Sequence, residues 1–180
     1  TEPSVLTVAT NAIDLDGFNL SCNDGMDGTA SATGNGGVLP YSFVWSDNQM
    51  QIGDQANNLT AGFYTVSITD NHGCVQTNNI TLTEPTPIEF LINYIDPNCD
   101  GFETGLIQID SVWGGTPPYE SALASNPFNS AAVYQDLAAG TYDISIMDDH
   151  GCETEDSGIL TTPDIPVLFM GLDLEVDLGC

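Results

Sequence analysis

The 180 residues predict an all-β protein built from tandem antiparallel β-sandwiches, and three observations carry this prediction. Apolar and polar residues alternate in short stretches, which is the period of a strand with one buried face. Turn-forming residues interrupt these stretches about every dozen residues. A long sequence motif occurs twice, which indicates two copies of one small domain.

The clearest alternation lies near the end of each copy. Residues 64–69 place Tyr, Val and Ile between Thr and Ser, and residues 142–147 repeat the pattern. No stretch has the 3.6-residue apolar period of a helix. About seven short strands in roughly 80 residues predict an immunoglobulin-like sandwich. Tyr64 and Tyr142, at the start of the penultimate predicted strands, match the pattern of a tyrosine corner.

The repeat is sharpest in two blocks. Residues 61–74 align with residues 139–152, and both blocks end in His-Gly-Cys. Upstream, residues 36–41 align with residues 114–119 through the pattern Gly-Gly-x-x-Pro-Tyr. A match of this length predicts that both copies adopt the same fold.

A shorter motif marks the joints between copies. Thr-Glu-Pro opens the chain, recurs at residues 83–85, and recurs in altered form as Thr-Thr-Pro at residues 161–163. Proline in these segments stiffens a linker. The predicted domains are repeat 1 over residues 1–84, repeat 2 over residues 85–162, and the first strand or strands of a truncated third repeat over residues 163–180.

The charge composition excludes several classes of function. The chain has 26 Asp and Glu, no Lys or Arg, and a formal net charge of −26. Without cations it has no electrostatic means of binding nucleic acid or anionic membranes. No apolar stretch approaches the roughly 20 residues that span a bilayer, so direct membrane insertion is not expected. At 41% hydrophobic residues the chain still has the material for a folded core.

The cysteine spacing predicts a disulfide in each repeat. Cys22 and Cys74 are 52 residues apart, and Cys99 and Cys152 are 53 apart at matching positions. We expect each pair to close one intradomain disulfide, which places the protein in an oxidising compartment. Cys180 is expected to be the first cysteine of the third repeat, unpaired within this segment. The alternative for Cys180 is a free reactive thiol.

The combined motifs resemble the SprB-type repeat of very large cell-surface adhesins of gliding Bacteroidetes. They run from Thr-Glu-Pro through Cys-Asn-Asp-Gly, Gly-Gly-x-x-Pro-Tyr and Trp-Ser to Leu-x-Ala-Gly-x-Tyr-x-Val-x-Ile-x-Asp-x-x-Gly-Cys. The second copy departs from the pattern, since Leu123 stands where Trp45 does. The resemblance implies spacer repeats of a secreted, extracellular filament at the cell surface, active in adhesion or gliding. Its implied partners are neighbouring repeats and, through other parts of the protein, an extracellular surface or polysaccharide.

Acidic residues near the cysteines suggest a candidate calcium site. Calcium takes six to eight oxygen ligands, and the predicted disulfides would gather carboxylates from two turns in each repeat. The alternative is that Asp occupies these turns because its side chain hydrogen-bonds the local backbone. The candidate ligands are Asp24, Asp27 and Asp70 in the first repeat, and Asp100, Glu103 and Asp148 in the second.

Other candidate sites are sparse. His72 and His150 occupy equivalent turn positions and are too few for a zinc site. Trp113 has no aromatic counterpart in the first repeat, where Asn35 occupies its position, so it is the candidate for an exposed contact. No nucleophile motif is present, and we do not expect an enzyme. The competing function is an accessory carbohydrate- or calcium-binding β-sandwich module of an extracellular enzyme.

Overall fold

A computed structural model describes residues 3–98 and 103–162 of the chain. All regular elements in these residues are β-strands. The chain divides between Pro87 and Ile88 into two compact units. The predicted class of tandem, immunoglobulin-like all-β repeats is confirmed. The predicted third repeat lies outside the described residues.

The first unit is a sandwich of two three-stranded antiparallel sheets. Its strands are β1 (Thr7–Ala12), β2 (Gly28–Asn35), β3 (Ser42–Trp45), β4 (Gln55–Leu59), β5 (Gly62–Thr69) and β6 (Val75–Leu82). One sheet has the order β1-β2-β4 and the other has the order β3-β5-β6. The buried core contains residues from both sheets, which places it between them.

The second unit repeats this topology. Its strands are β7 (Glu89–Ile95), β8 (Gly105–Trp113), β9 (Glu120–Leu123), β10 (Val133–Leu137), β11 (Gly140–Met147) and β12 (Glu153–Leu160). The sheet orders are β7-β8-β10 and β9-β11-β12. Equal topology in both units is the structural counterpart of the sequence repeat.

The first unit has six strands rather than the seven that the sequence predicts. Between β3 and β4 the chain forms a loop around the buried carboxylate of Asp47. This carboxylate accepts the backbone N–H of Gln49 at 3.1 Å and that of Gln51 at 2.8 Å. The Gln51 side-chain amide adds a third hydrogen bond at 3.1 Å. The loop satisfies locally the backbone groups that a seventh strand would pair with a neighbour.

The predicted alternation is confirmed in the strands that line the core. Val66 and Ile68 in β5 are buried, and so are Ile144 and Ile146 in β11. Their neighbours Ser67 and Ser145 are half-buried on the other face. A period of two thus points one set of side chains into each core.

The two cores differ at one central position. Trp45 lies opposite Val66 in the first unit, and its indole N–H donates to the Gly53 carbonyl at 3.1 Å. Leu123 lies at the same register in the second unit, opposite Ile144. A large aromatic side chain therefore anchors the first core, whereas an aliphatic side chain occupies the equivalent place in the second.

Both tyrosine corners form as the sequence predicts. The Tyr64 hydroxyl donates to the Thr60 carbonyl at 3.0 Å, and the Tyr142 hydroxyl donates to the Ala138 carbonyl at 2.9 Å. Each bond fixes the loop that leads into the penultimate strand of its unit. The same interaction at the same position confirms that the sequence repeat is also a repeat in side-chain chemistry.

The cores are separate, so Trp45→Ala is expected to destabilise the first unit alone. Truncating a buried Trp costs about 3–5 kcal/mol through lost contacts and the cavity that remains. Scanning calorimetry should show one transition moved to lower temperature and the other unchanged. The matched variant Leu123→Ala should shift the other transition. Equal shifts of both transitions in either variant would contradict independent cores.

Candidate functional site

Each unit has an upstream end, where the chain enters, and a downstream end, where it leaves. In the first unit the entering chain is held by the Gly37 N–H, which donates to the Ser4 carbonyl at 2.8 Å. The leaving chain is held by the N–H groups of Asn19 and Leu20, which donate to the Thr83 carbonyl at 2.8 and 3.2 Å. Eight-residue strands separate the two ends by about 23 Å, at roughly 3.3 Å per residue.

A buried carboxylate closes the upstream end of the first unit. Asp70 Oδ2 accepts the backbone N–H of Val38 at 2.9 Å. Its Oδ1 accepts the N–H groups of His72 at 2.9 Å and Cys74 at 2.8 Å. Burial acts to raise the pKa of Asp70, but hydrogen bonds from Cys74, Val38 and His72 outweigh it and hold the pKa below its ordinary value. We term this arrangement the aspartate clasp.

The second unit contains the same aspartate clasp. Asp148 is 3% exposed, and its Oδ2 accepts the N–H of Thr116 at 2.8 Å. Its Oδ1 accepts the N–H groups of His150 at 3.0 Å and Cys152 at 2.9 Å. In each unit the clasp joins the Gly-Gly turn to the His-Gly-Cys turn, so it ties the two sheets together at the upstream end.

The clasp explains the second glycine of each Gly-Gly turn. Gly37 and Gly115 have φ angles of 59° and 54°. A Cβ at either position would lie 2.7 Å from the Oδ2 atom of Asp70 or Asp148. Only glycine combines this backbone conformation with so close an approach to the carboxylate.

The downstream end anchors the threonine of the joint motif. Asn19 Oδ1 accepts the N–H of Thr83 at 3.0 Å and its hydroxyl at 3.2 Å. In the second unit the Asp96 carboxylate accepts the N–H of Thr161 at 2.7 Å and its hydroxyl at 3.0 Å. In both repeats the backbone N–H and the hydroxyl of the joint threonine thus donate to a side-chain oxygen of the domain that the chain leaves.

The rest of the Thr-Glu-Pro motif binds the loop that carries Cys22. The Glu84 carboxylate accepts the N–H of Asp24 at 2.9 Å. The Asn23 side-chain amide donates to the carbonyl of Pro85 at 3.1 Å, and Pro85 is fully buried. The linker therefore leaves the first unit along this loop, with Cys22 beside it.

The predicted disulfide between Cys22 and Cys74 is wrong. Cys74 is a free, exposed thiol, whereas Cys22 and Cys152 are disulfide-bonded. Cys22 lies at the downstream end and Cys74 at the upstream end, about 23 Å away along the strands. A disulfide needs Cα atoms within about 7 Å. Cys99 and Cys180 lie outside the described residues.

The structure does not bring the candidate calcium ligands together. Asp24 and Asp27 are exposed at the downstream end of the first unit, whereas Asp70 is buried at the upstream end. The Asp27 carboxylate accepts the Ser21 N–H at 3.2 Å, which is the turn chemistry that the sequence left as the alternative. Within residues 3–98 and 103–162, no group of three or more His, Cys, Asp or Glu is arranged to hold a metal ion.

The candidate ligands of the second unit are also separated. Asp148 belongs to the upstream clasp, and Glu103 is exposed just before β8 begins at the downstream end. Asp100 lies outside the described residues. The carboxylates that precede the second cysteine of each repeat thus accept hydrogen bonds from backbone N–H groups. The Asp-x-x-Gly-Cys spacing, which resembles an Asx turn, could have indicated this role.

The remaining candidates lie on the surface. Trp113 is 44% exposed, and its indole N–H donates to the Glu89 carboxylate at 2.9 Å across the β7–β8 pair. His72 is exposed and His150 is half-buried, and both lie in turns as the sequence predicts. Of these residues Trp113 alone offers an aromatic surface without a counterpart in the other unit.

The depressions on the surface are small and shallow. One of about 260 Å³ lies beside Asp47, Asn58 and Tyr64 in the first unit, and one of about 270 Å³ lies beside Tyr119 and Ser121 in the second. A third of about 310 Å³ lies beside Asp143, Glu155 and Asp156 in the second unit. All three are near or below the lower end of the range of about 300–1,000 Å³ that is usual for small-molecule sites. In the part of the chain that the structure describes, no helix is long and apolar enough to cross a membrane.

Comparison with protein families confirms the resemblance for one segment. The family model of the SprB repeat matches residues 19–50, from the downstream loop of the first unit to the loop after β3. SprB repeats occur in cell-surface proteins, and the match supports an adhesin-like repeat module. No curated protein matches the chain.

Solved structures with immunoglobulin domains are similar to the chain at low identity. A Dscam structure on isoform specificity has 13% identity and a TM-score of 0.34, and the alignment covers 87% of this chain and 46% of that one. The amphioxus IgVJ-C2 molecule has 12% identity and a TM-score of 0.33, with 70% and 91% covered. The N-terminal eight Ig domains of a Down syndrome cell adhesion molecule isoform have 14% identity and a TM-score of 0.36, with 87% and 25% covered. The chain thus spans less than half of the first of these proteins.

The lowered pKa of Asp70 predicts acid lability of the first unit. A carboxyl group with a depressed folded pKa stabilises the fold above its unfolded pKa of about 3.9, and this stability is lost as the pH falls through the folded value. Asp47 acts in the same direction, since its hydrogen bonds to Gln51 and Gln49 outweigh the effect of burial and lower its pKa. The melting temperature of the first unit should therefore fall increasingly below about pH 4.

Asp70→Asn tests the source of this pH dependence. Its amide group would face the Val38 N–H, so the first unit should melt several degrees lower at pH 7 and lose less stability between pH 4 and pH 2. Asp54→Asn, at an exposed loop position, is the matched control and should follow the wild-type curve. An unchanged acid profile in Asp70→Asn would show that the clasp is not the responsible group.

Proposed function

We propose that this chain is a spacer segment of a secreted filamentous adhesin at the cell surface, active in adhesion or gliding motility. Its role is mechanical, and its domains carry no catalytic chemistry. It displays a distal binding site away from the cell and transmits tension between that site and the cell. Its direct partners are neighbouring repeats of the same long chain.

One observation carries this proposal: each repeat receives the chain at one end and releases it at the other. The Gly37 N–H holds the entering strand, and the side chain of Asn19 holds the leaving threonine about 23 Å away. A domain built in this way can be added to a string without rearrangement of the others. The stability of such a string is a sum of repeat and neighbour terms.

The linker chemistry supports a continuous string. Pro85 is buried, and its carbonyl is bound by Asn23. Glu84 binds the same loop through the Asp24 N–H. A linker that is held on the domain it leaves has less freedom than a Gly/Ser-rich one, which suits a filament under tension. The charge of −26 favours solubility and mutual repulsion of neighbouring filaments.

Imaging of the native protein that contains this segment tests the proposal. Negative-stain micrographs should show a long thread of beads, with domains of this size about 30–40 Å apart. A compact particle with two or three beads beside a larger globule would contradict the spacer function. That result would favour the accessory-module function.

Trp113 is the observation that favours the second candidate function, a carbohydrate-binding module. Its indole is 44% exposed and could stack against a sugar ring. For a spacer, Trp113→Ala should leave adhesion to a polysaccharide-coated surface unchanged, as should the matched control Phe63→Ala, which removes another exposed ring. If Trp113→Ala alone raised the half-saturating concentration for adhesion tenfold or more, the result would support the carbohydrate-binding module.

A further inference from the structure

The carboxylates of the two units are distributed differently over their sheets. The six strands described for the first unit contain no Asp or Glu, whereas each of the six strands of the second unit contains at least one. The low β-propensity of acidic residues does not explain this difference, because it applies to both copies of the fold. On a chain with a net charge of −26, the sheets of the first unit are therefore uncharged.

One side of the first unit is formed by the outward side chains of β3, β5 and β6. Val66 points into the core, so its neighbours Thr65 and Ser67 in β5 point outward. The strand register places Val44 of β3 and Thr77 of β6 on either side of Ser67. Every outward position of these three strands is Ser, Thr, Asn, Val or Phe. We term this surface the uncharged face.

Exposed apolar side chains add to the uncharged face. Ile52 pairs with Val44 along the edge strand β3, and it is 80% exposed. Phe63 near the start of β5 and Val75 at the start of β6 are also exposed. The core of a protein interface differs from the rest of a surface in its depletion of charge and its enrichment in aromatic residues. The uncharged face thus has the composition of a protein contact.

The equivalent surface of the second unit lacks this property. Its β11 has Asp143 at the position of Thr65, and its β12 has Glu155 at the position of Thr77. In a contact between two such surfaces these carboxylates would oppose each other, and juxtaposed like charges are unfavourable. The difference between the repeats therefore restricts a contact of this kind to the first unit.

We propose that the uncharged face binds the same face of a second copy of this chain, sheet against sheet. Charge selects this occupant. Each copy has a net charge of −26, so two copies repel each other, and they can pack closely only where neither contributes a carboxylate. The contact depends on the first unit alone and not on the spacer function. In the proposed filament it would recur along neighbouring threads and gain avidity, a consequence that does rest on the proposed function.

The dimensions of the uncharged face predict a weak contact. It is about 26 Å long, at roughly 3.3 Å for each of the eight residues of β5, and about 10 Å separate its outer strands. Stable complexes bury about 800 Å² on each partner, more than a surface of this size offers. We therefore expect association at protein concentrations of roughly 0.1–1 mM.

Sedimentation equilibrium of the full 180-residue chain tests the proposal. Free thiols are first blocked with iodoacetamide, so that disulfide-linked dimers cannot form. The average mass should rise from 19.1 kDa toward twice that value as the protein concentration approaches about 1 mM. Because salt screens the repulsion between the copies, raising NaCl from about 0.05 M to about 0.5 M should lower the dissociation constant about tenfold. A mass of 19.1 kDa at every concentration and salt would overturn the proposal.

A charged variant locates the contact. Thr65→Asp combined with Thr77→Glu gives the uncharged face two carboxylates that the second unit has, and it should raise the dissociation constant at least about tenfold. The matched control is Thr33→Asp combined with Asn11→Glu, which adds the same charge to the outward side of β1 and β2. It should change the dissociation constant less than about twofold. Equal weakening by both variants would contradict the assignment to this face.

Calorimetry separates loss of the contact from loss of the fold. Thr65→Asp removes the hydrogen bond from the Thr65 hydroxyl to Asn79 at 2.8 Å. If the double variant unfolds, the single variant Thr77→Glu, at an exposed position, replaces it and should also weaken the association. An unchanged dissociation constant in folded Thr77→Glu protein would overturn the proposal. Micrographs that show no thread would instead overturn the spacer function and leave this contact standing.

Discussion

The aspartate clasp is the interaction on which the rest of each repeat depends. One buried carboxylate accepts three backbone N–H groups from two turns, one of which connects the two sheets while the other joins β5 to β6 within one sheet. In a chain without Lys or Arg, backbone amides are the partners available to compensate a buried negative charge. The clasp therefore allows a strongly acidic chain to close the end of a sandwich. It also fixes the geometry of the His-Gly-Cys turn and thereby the direction of its cysteine.

The opposite end of the repeat is built from the joint motif itself. Thr83 binds Asn19, Glu84 binds the Asp24 N–H, and Pro85 is buried with its carbonyl bound by Asn23. The linker is thus part of the domain that it leaves. Each repeat has one end where the chain enters and one where it leaves. The sequence motifs that both copies share are concentrated at these two ends rather than around a cavity.

Much of this architecture could be predicted from the sequence because it depends on local patterns. The alternation of residues 64–69 predicts which side chains of β5 are buried, and the position of Tyr64 predicts the tyrosine corner that its hydroxyl forms with the Thr60 carbonyl. The cysteine pairing could not be predicted, because equal spacings of 52 and 53 residues say nothing about which end of a sandwich each residue occupies. That information lies in strand order, which brings the chain past both ends several times. Asp70 is a candidate calcium ligand in the sequence for the same reason, whereas in the structure its carboxylate accepts N–H groups from its own turn and from Val38, 32 residues away.

The anchoring of the linker has a consequence when the chain is pulled. Glu84 and Pro85 are hydrogen-bonded to the loop at Asn23 and Asp24, so a pull on the chain beyond Pro85 acts on these bonds before it acts on β6. Thr83, bound to Asn19, is the next contact to be loaded. A repeat of this kind would therefore yield first at its anchored linker, which releases a short length of chain while the sheets stay intact.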